Sequence, residues 1–366
     1  MIEIKSHESD NMPKIAIVGI GGGGCNAISR MTESNFSHVT YIAVNTDLQS
    51  LEDANATTLL QIGKKLTNGF GAGADPSVGE SSANESEEDI ENILKDYNMV
   101  ILTCGLGGGT GTGAIPVIAQ ICRSLQILTV AVVTLPFTFE NTPRMVSAKN
   151  GLEKLRESVD TLLVIPNDKL LEISEKAFYL DDAFQMADTI LKYTIEGITN
   201  IIFNRGVVNL DFNDLKTTLK DKGNGHLGIG TVPSGTSILE AVKQAIHSPL
   251  LDTSIKGASN IILNSSGRIN LMELNEAIAY VRELAGESVN IIWGTVTDNN
   301  QTEDEVVITL IATGMEEKNL EDEPFTPTIF SSETQVAKTA LSHQKEVVIP
   351  SFLLDYERKN RTKRNL

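Results

Sequence analysis

From Lys14 onward, apolar runs of strand length recur at 14–18, 39–44, 98–104, 127–134 and 161–165, and stretches with apolar residues every three or four positions follow most of them. Runs this uniformly apolar suit strands covered on both faces, so the alternation predicts a parallel sheet with helices on either side up to about residue 176. Residues 181–203 read as one long helix, with Phe184, Ala187, Leu191, Ile195, Ile198 and Ile202 on one face. The pattern then restarts as a smaller α/β unit. It has a strand near 226–232, a helix at 236–247, a strand at 259–264, a helix at 271–285 and strands at 289–296 and 305–312. The polar stretch Asp298 to Thr302 reads as a hairpin loop between the last two strands.

Beyond Gly314 the periodicity stops. Glu316, Glu317, Glu321, Asp322 and Glu323 outnumber Lys318, and prolines and polar residues follow, which predicts a disordered linker over 316–346. An apolar island, Val347 to Leu354, precedes Arg358, Lys359, Arg361, Lys363 and Arg364. Such an island at the end of a polar tail suits a docking peptide over 347–366, the alternative being a terminal element packed on the body. Residues 1–12 are expected to be flexible. The full division reads as a nucleotide-binding unit over 13–180, the central helix 181–203, a loop and helix over 204–225, a second unit over 226–315, then linker and tail.

Composition narrows the chemistry. With 366 residues and 41% hydrophobic content the chain has enough apolar material for two cores, and its net charge of −18 opposes general nucleic-acid or anionic-membrane binding. Cys25, Cys104 and Cys122 form no C-x-x-C pair and suit small buried residues in a reducing compartment. The first ten residues lack a basic start and a long apolar core, so no signal peptide is read. The longest apolar stretch, 127–137, is broken by threonines and a proline and falls short of the roughly 20 residues a spanning helix needs. The five histidines show no paired spacing, so no metal site built from side chains is expected. These readings place the protein in the cytoplasm, without a membrane span.

Two glycine clusters carry the chemistry. Gly107, Gly108, Gly109, Thr110, Gly111, Thr112 and Gly113 follow an apolar strand and open a helix, and Gly21, Gly22, Gly23 and Gly24 do the same after the run 14–18. Backbone N–H groups of such loops converge on an anion, and the helix behind each presents its positive end. Gly19, Gly21 and Gly24 also satisfy G-x-G-x-x-G, with Asp47 at the end of the next strand, which keeps a dinucleotide fold open, whereas no G-x-x-x-x-G-K-[ST] occurs. Asn45-Thr46-Asp47, Gly71-Ala72-Gly73-Ala74 and Glu140 to Arg144 can lie at the same sheet edge; alone, Glu140 and Arg144 read as a surface ion pair. Taken alone, Asn209-Leu210-Asp211-Phe212-Asn213-Asp214 is a helix start capped by Asp211 or Asn213.

With these segments in order, the chain resembles the FtsZ family, the bacterial relatives of tubulin, over nearly all its length. The resemblance rests on GGGTGTG at 107–113, Gly21 to Ala27, Ala43 to Asp47, Ile165-Pro166-Asn167-Asp168-Lys169-Leu170-Leu171, Asn209 to Asp214 and Ser248-Pro249-Leu250-Leu251. It implies a tubulin-like α/β fold: a parallel-sheet nucleotide-binding domain joined by a long central helix to a smaller domain with a mixed sheet, and a disordered tail. It implies a GTP/GDP site. Gly21 to Gly24, Cys25 and Gly107 to Gly113 would surround the phosphates, with Asn45, Ala72 and Gly73 nearby. Phe184 would stack on guanine, Asn26 and Asp188 would read its edge, and Glu140, Arg144 and Asn167 would contact ribose and phosphate.

By the same resemblance Asn209, Asp211 and Asp214 form a catalytic loop that reaches the γ-phosphate held by the next subunit, with Mg²⁺ bound through the phosphates. The implied protein is a GTPase that depends on head-to-tail assembly and forms filaments of a division ring at mid-cell, with residues 347–366 docking membrane-tethering and regulatory division proteins. Departures from the family pattern occur at Thr236 to Leu239, at Asn141-Thr142-Pro143 and after Phe352. A GTP-binding paralogue with little hydrolysis, or a nicotinamide-dependent oxidoreductase resting on G-x-G-x-x-G and Asp47, are the rival readings.

Overall fold

The computed structural model describes residues 12–32, 39–173, 179–203, 211–248, 253–267, 269–296 and 305–315. Asn209, the linker at 316–346, the tail at 347–366 and the proposed hairpin loop at 298–302 lie outside these residues.

The first part of the chain alternates as expected: β1 (Ile15–Ile20), α1 (Gly21–Met31), β2 (Val39–Asn45), α2 (Leu48–Glu52), β3 (Thr58–Gln61), α3 (Lys64–Thr67), α4 (Pro76–Glu85), α5 (Glu87–Leu94), β4 (Met99–Gly105), α6 (Thr110–Ser124), β5 (Leu128–Leu135), α7 (Thr142–Arg156) and β6 (Thr161–Pro166). After α8 (Asp168–Ile173) comes the long α9 (Leu180–Phe203), then α10 (Phe212–Leu219), β7 (Gly223–Pro233), α11 (Ile238–Ile246), β8 (Asn260–Ser266), α12 (Leu271–Ala285), β9 (Asn290–Val296) and β10 (Glu305–Thr313).

The strands form one array in the order β3-β2-β1-β4-β5-β6-β7-β10-β8-β9. The pairs from β3 to β7 are all parallel. Every residue of β1 is buried, as are all of β4 and β5 except the last of each, because helices cover both faces of the sheet. One face carries Val18, Val44, Ile115 and Val133; the other carries Ile17, Ile101, Val132 and the stripe of α9.

That stripe runs Ala183, Met186, Ala187, Ile190, Leu191, Ile195, Ile198 and Ile201, and its cluster reaches Leu227, Ile262 and Ile311 of the second unit. Phe184, expected on the same face, instead lies at its exposed edge, 38% accessible, one residue off the line joining Ala183 to Ala187. The sheets of the two units meet through only two residue pairs, Thr161 with Gly223 and Leu162 with Asn224.

The second unit has a mixed sheet, but the expected hairpin is absent. β10 inserts between β7 and β8, antiparallel to both, while β9 lies at the edge, parallel to β8. Its buried residues, among them Val242, Ile261, Val281 and Ile308, form a core of their own.

Candidate functional site

β1 and β4 are neighbours, yet the chain leaves them in opposite directions: β2 and β3 build one side of the sheet, β5 and β6 the other. This is the switch point of a doubly wound sheet, where a crevice opens beyond the carboxyl ends of the strands. Both glycine loops sit there. α1 begins directly after β1, and four residues separate the end of β4 from the start of α6; neither helix has a side-chain cap or an acidic residue in its first turn. Their orphan N–H groups and positive ends are therefore left for something else to satisfy.

The loops touch. A Cβ on Gly21, whose φ is +71°, would lie 2.9 Å from the Gly111 nitrogen, and one on Gly23 would lie 3.3 Å from that of Gly105. Within 107–113, the Gly107 N–H donates to Thr112 Oγ1 at 2.8 Å and the Gly113 N–H to the Gly109 carbonyl at 3.0 Å. The N–H groups of Gly108, Gly109, Thr110 and Gly111 find no acceptor among the described residues.

Gly22 and Gly108 are glycines that internal packing does not explain. At neither position does φ fall in the left-handed range, and a Cβ would meet nothing within 4 Å. At Gly109, by contrast, a Cβ would lie 2.8 Å from Ala72 Cβ and 2.9 Å from the Asp75 nitrogen, so internal packing alone accounts for glycine there. Open space over two helix N-termini lined with free N–H groups fits an oxyanion such as a phosphate chain.

One wall carries Asn45, Thr46 and Asp47 at the end of β2. The Asn45 carboxamide accepts from the N–H groups of Thr46 at 2.9 Å and Asp47 at 3.3 Å, and Asp47 caps α2 through Ser50 at 3.1 Å. Phe70, bridged to Asp47, leads into Gly71, Ala72 and Gly73, and the Ala72 carbonyl accepts from Asp75.

The other wall follows β5 and β6. Glu140 accepts from the Phe137 N–H at 2.8 Å and pairs with Arg144 Nε at 3.1 Å, so the ion pair that the sequence alone suggested is present, with the carboxylate buried and Arg144 half exposed. Asn167 is 5% accessible and its Oδ1 is buried without a donor. An unpaired buried acceptor costs about 1–3 kcal/mol, which a ligand donor would recover.

Toward the far end, Asn26 stands exposed on α1, one turn beyond Gly22. Phe184 makes an edge contact with Phe137 at 5.6 Å and 87°. One turn along α9, Asp188 Oδ2 accepts from Arg30 Nε of α1 at 3.2 Å. Burial pushes the Asp188 carboxyl up to about 6, against the opposing pull of the Arg30 charge.

Cys25 is buried beside the first loop, and burial pushes its thiol up to about 12, which makes it inert at neutral pH. Cys104 and Cys122 are buried as well. Among the described residues no group of three or more His, Cys, Asp or Glu side chains can hold a metal, and no helix is long and apolar enough to cross a membrane.

Asp211 is the N-cap of α10 and accepts from the Asp214 N–H at 2.8 Å, so the capping role read from spacing is real. Asp211 is exposed and Asp214 half-buried, and neither makes a hydrogen bond or ion pair to the residues around the glycine loops. Three residues at the site were not singled out from sequence: Thr46, whose hydroxyl meets Thr110, Arg30, and Phe137. Thr46 lay inside a segment already selected; nothing in the sequence joins Arg30 to a partner 158 positions away.

Fold and site together define a nucleotide-binding α/β protein of the tubulin type. Residues 14–175 match the GTPase domain of the Tubulin/FtsZ family and residues 223–316 the FtsZ family C-terminal domain. An empty FtsZ dimer of M. jannaschii is 39% identical, covering 87% of this chain and 97% of its own, with a TM-score of 0.79. A point mutant of FtsZ from M. jannaschii is 42% identical over 83% of this chain and 92% of its own, at 0.78. The GDP-bound CetZ1 monomer from Haloferax volcanii, 21% identical over 82% of this chain and 94% of its own at 0.72, shares the fold. The chain belongs to the FtsZ family of tubulin-like GTPases and binds and hydrolyses GTP.

Proposed function

We propose that the protein polymerises head to tail, that its GTPase site is completed between adjacent copies, and that its filaments build a division ring at mid-cell on the inner face of the membrane. The observation that carries this reading is the pairing of an open cradle at Gly22 and Gly108 with the carboxylates of Asp211, exposed, and Asp214, half-buried, at the start of a different helix.

In this reading the free N–H groups of 108–111 and of the α1 terminus bind the phosphates, with Thr110 adding a hydroxyl. Glu140 and Asn167 bind the ribose and Arg144 a phosphate, while Asn45, Ala72 and Gly73 close the near wall. Phe184 stacks on guanine, and Asn26 and Asp188 accept from its edge, which offers adjacent N1–H and N2–H donors that adenine lacks. Mg²⁺, bound through the phosphates, would offset their charge. Asp211 and Asp214, with Asn209 outside the described residues, polarise and orient the attacking water from the next copy.

Exposed apolar side chains support self-association: Leu48, Leu66 and Phe70 beside the cradle, and Leu271 and Met272 at the start of α12. A head-to-tail contact that does not close yields a filament, and loss of the γ-phosphate from the contact drives its turnover. The tail 347–366 docks membrane-tethering and regulatory division proteins.

GTP turnover measured across protein concentration beside light scattering tests the shared site. Turnover per molecule rises steeply above an assembly threshold; turnover that stays constant to high dilution overturns the proposal.

A further inference from the structure

Arg30 stands near the carboxyl end of α1 and Asp188 on α9, 158 positions apart, and their side chains are joined at 3.2 Å. The Asp188 side chain is 14% accessible and that of Arg30 38%. The pair is fixed from a second side, because Lys192 Nζ of α9 donates to the Arg30 carbonyl at 3.2 Å. Only one carboxylate oxygen, Oδ2, is engaged; Oδ1 has no partner among the described residues.

We propose that Arg30 is a positioning residue for base recognition: its guanidinium keeps the Asp188 carboxylate ionised and in one orientation, so that both oxygens remain acceptors for a guanine edge. This rests on the reading of Asp188 as the guanine contact.

The need follows from donor counting. The N1–H and N2–H groups of guanine require two acceptors side by side, and only an ionised carboxylate supplies them. A protonated carboxyl turns one oxygen into a donor and sets it against a base donor. Each carboxylate oxygen has capacity for two donors, so Oδ2 can serve Arg30 and the base together.

Burial works against this ion, and the Arg30 charge is what opposes it. Among the described residues, Arg30 supplies the positive charge that pulls the Asp188 carboxyl down. Arg30 is the only charged residue of α1, and β5 has none. On α8 stand Asp168, Lys169 and Glu172, with Asp168 committed to the Thr138 N–H and hydroxyl. On α9 itself Asp181 and Asp182 precede Asp188, and Lys192 pairs with Glu196 at 3.8 Å and with the Arg30 carbonyl.

The test is GTP affinity of the full chain measured from pH 8 to pH 5.5 by equilibrium binding, for the native protein, Arg30→Gln, Arg30→Lys and Lys192→Met. In the native protein affinity holds down to about pH 6.5 and then falls. Arg30→Gln moves the fall to near neutrality, so that its affinity at pH 6.5 is about tenfold below its own value at pH 8. Arg30→Lys restores most of the native profile by restoring the charge. Lys192→Met keeps the native profile because it removes the Glu196 pair and the anchor to the Arg30 carbonyl but leaves the Arg30 charge beside Asp188.

A uniform loss of affinity at all pH values in Arg30→Gln, without rescue by Arg30→Lys, would show a merely structural staple and overturn the proposal. So would an unchanged profile. Asp188→Asn separates this from failure of the guanine reading itself: at pH 7.5 that reading requires the preference for GTP over xanthosine triphosphate to fall at least tenfold. If it does not fall, Asp188 does not read the base, whatever Arg30 does. If it falls while Arg30→Gln behaves as native, only the role of Arg30 is refuted.

Discussion

The hydroxyl oxygens of Thr46 and Thr110 lie 2.6 Å apart. Thr46 is fully buried, and among the described residues its hydroxyl has no partner other than Thr110 Oγ1, so its proton is directed there. Thr110, at the first position of α6, thereby accepts, and its own proton is released toward the crevice. Thr46→Val, close in shape but without the donor, is expected to lower GTP affinity by about ten- to a hundredfold, as for one charge-assisted bond of about 1.5–3 kcal/mol lost or misdirected. Thr46→Ser should retain most of it. Equal affinities for the valine variant and the native protein would refute this proton assignment.

Gly22→Ala and Gly108→Ala separate fold from binding. Both added methyls enter open space on backbone that alanine tolerates, so thermal stability should hold or rise by about 0.5 kcal/mol. Nucleotide affinity should fall at least tenfold, because the methyl occupies the volume assigned to phosphate. Isothermal titration with GDP beside a melting curve tests both halves of the expectation.

Asp211 serves two purposes, and the right substitution tells them apart. Asp211→Ala removes the cap of α10 and should cost about 1 kcal/mol of stability as well as hydrolysis. Asp211→Asn keeps an equally good cap, so only the charge is lost. It should bind GTP and assemble with native stability while turnover falls at least a hundredfold. Asp214→Asn should behave likewise, and native turnover in either variant would remove that carboxylate from the mechanism.

Asp188 should be a burden to the nucleotide-free protein. Its carboxyl is pushed up to about 6 in the fold, so the native state holds the proton more tightly than the unfolded chain between about pH 4 and pH 6. Stability from this group is therefore present at low pH and lost as pH rises through about 6. Asp188→Asn should stabilise the empty protein by on the order of 2 kcal/mol above that pH, with the gain vanishing toward pH 4. Melting curves across the range would show it, and a destabilised asparagine variant at pH 7.5 would contradict it.

His226 has the opposite sign. Its ring is buried between the Ala245 carbonyl at 3.2 Å and the Thr253 hydroxyl at 2.8 Å, and burial pushes its pKa below the usual value. Because the carbonyl can only accept, Nε2 carries the proton and Nδ1 accepts from Thr253. The unfolded chain takes up a proton near pH 6.5 that the folded ring refuses, so stability of the second unit should decline as pH falls below that value. His226→Gln should flatten this acid limb in a calorimetric pH series. An acid limb as steep as the native one would assign the loss to other groups.

The sheet strands were legible because both their faces are buried, which leaves unbroken apolar runs. The region between β2 and β4 was not. α4 approaches α6 backbone to backbone, Gly79 against Gly109 and Thr110 and Gly113 against Pro76 and Glu80, and such close approach leaves no apolar stripe to read. Likewise, a polar stretch between two strands reads the same whether they pair or not, so the insertion of β10 between β7 and β8 could not be seen. The two glycine loops were legible as the helix starts that meet at the switch point, whereas the Thr46–Thr110 and Arg30–Asp188 contacts join distant segments.

Only two backbone pairs, Thr161 with Gly223 and Leu162 with Asn224, stitch the two sheets together. For a subunit linked at both ends into a chain under tension, that seam and the long helix beside it are the mechanical series element. A pull along such a chain would therefore load the α9 core shared with Leu227, Ile262 and Ile311 rather than the two backbone pairs, so the long helix acts as the tie rod of each molecule.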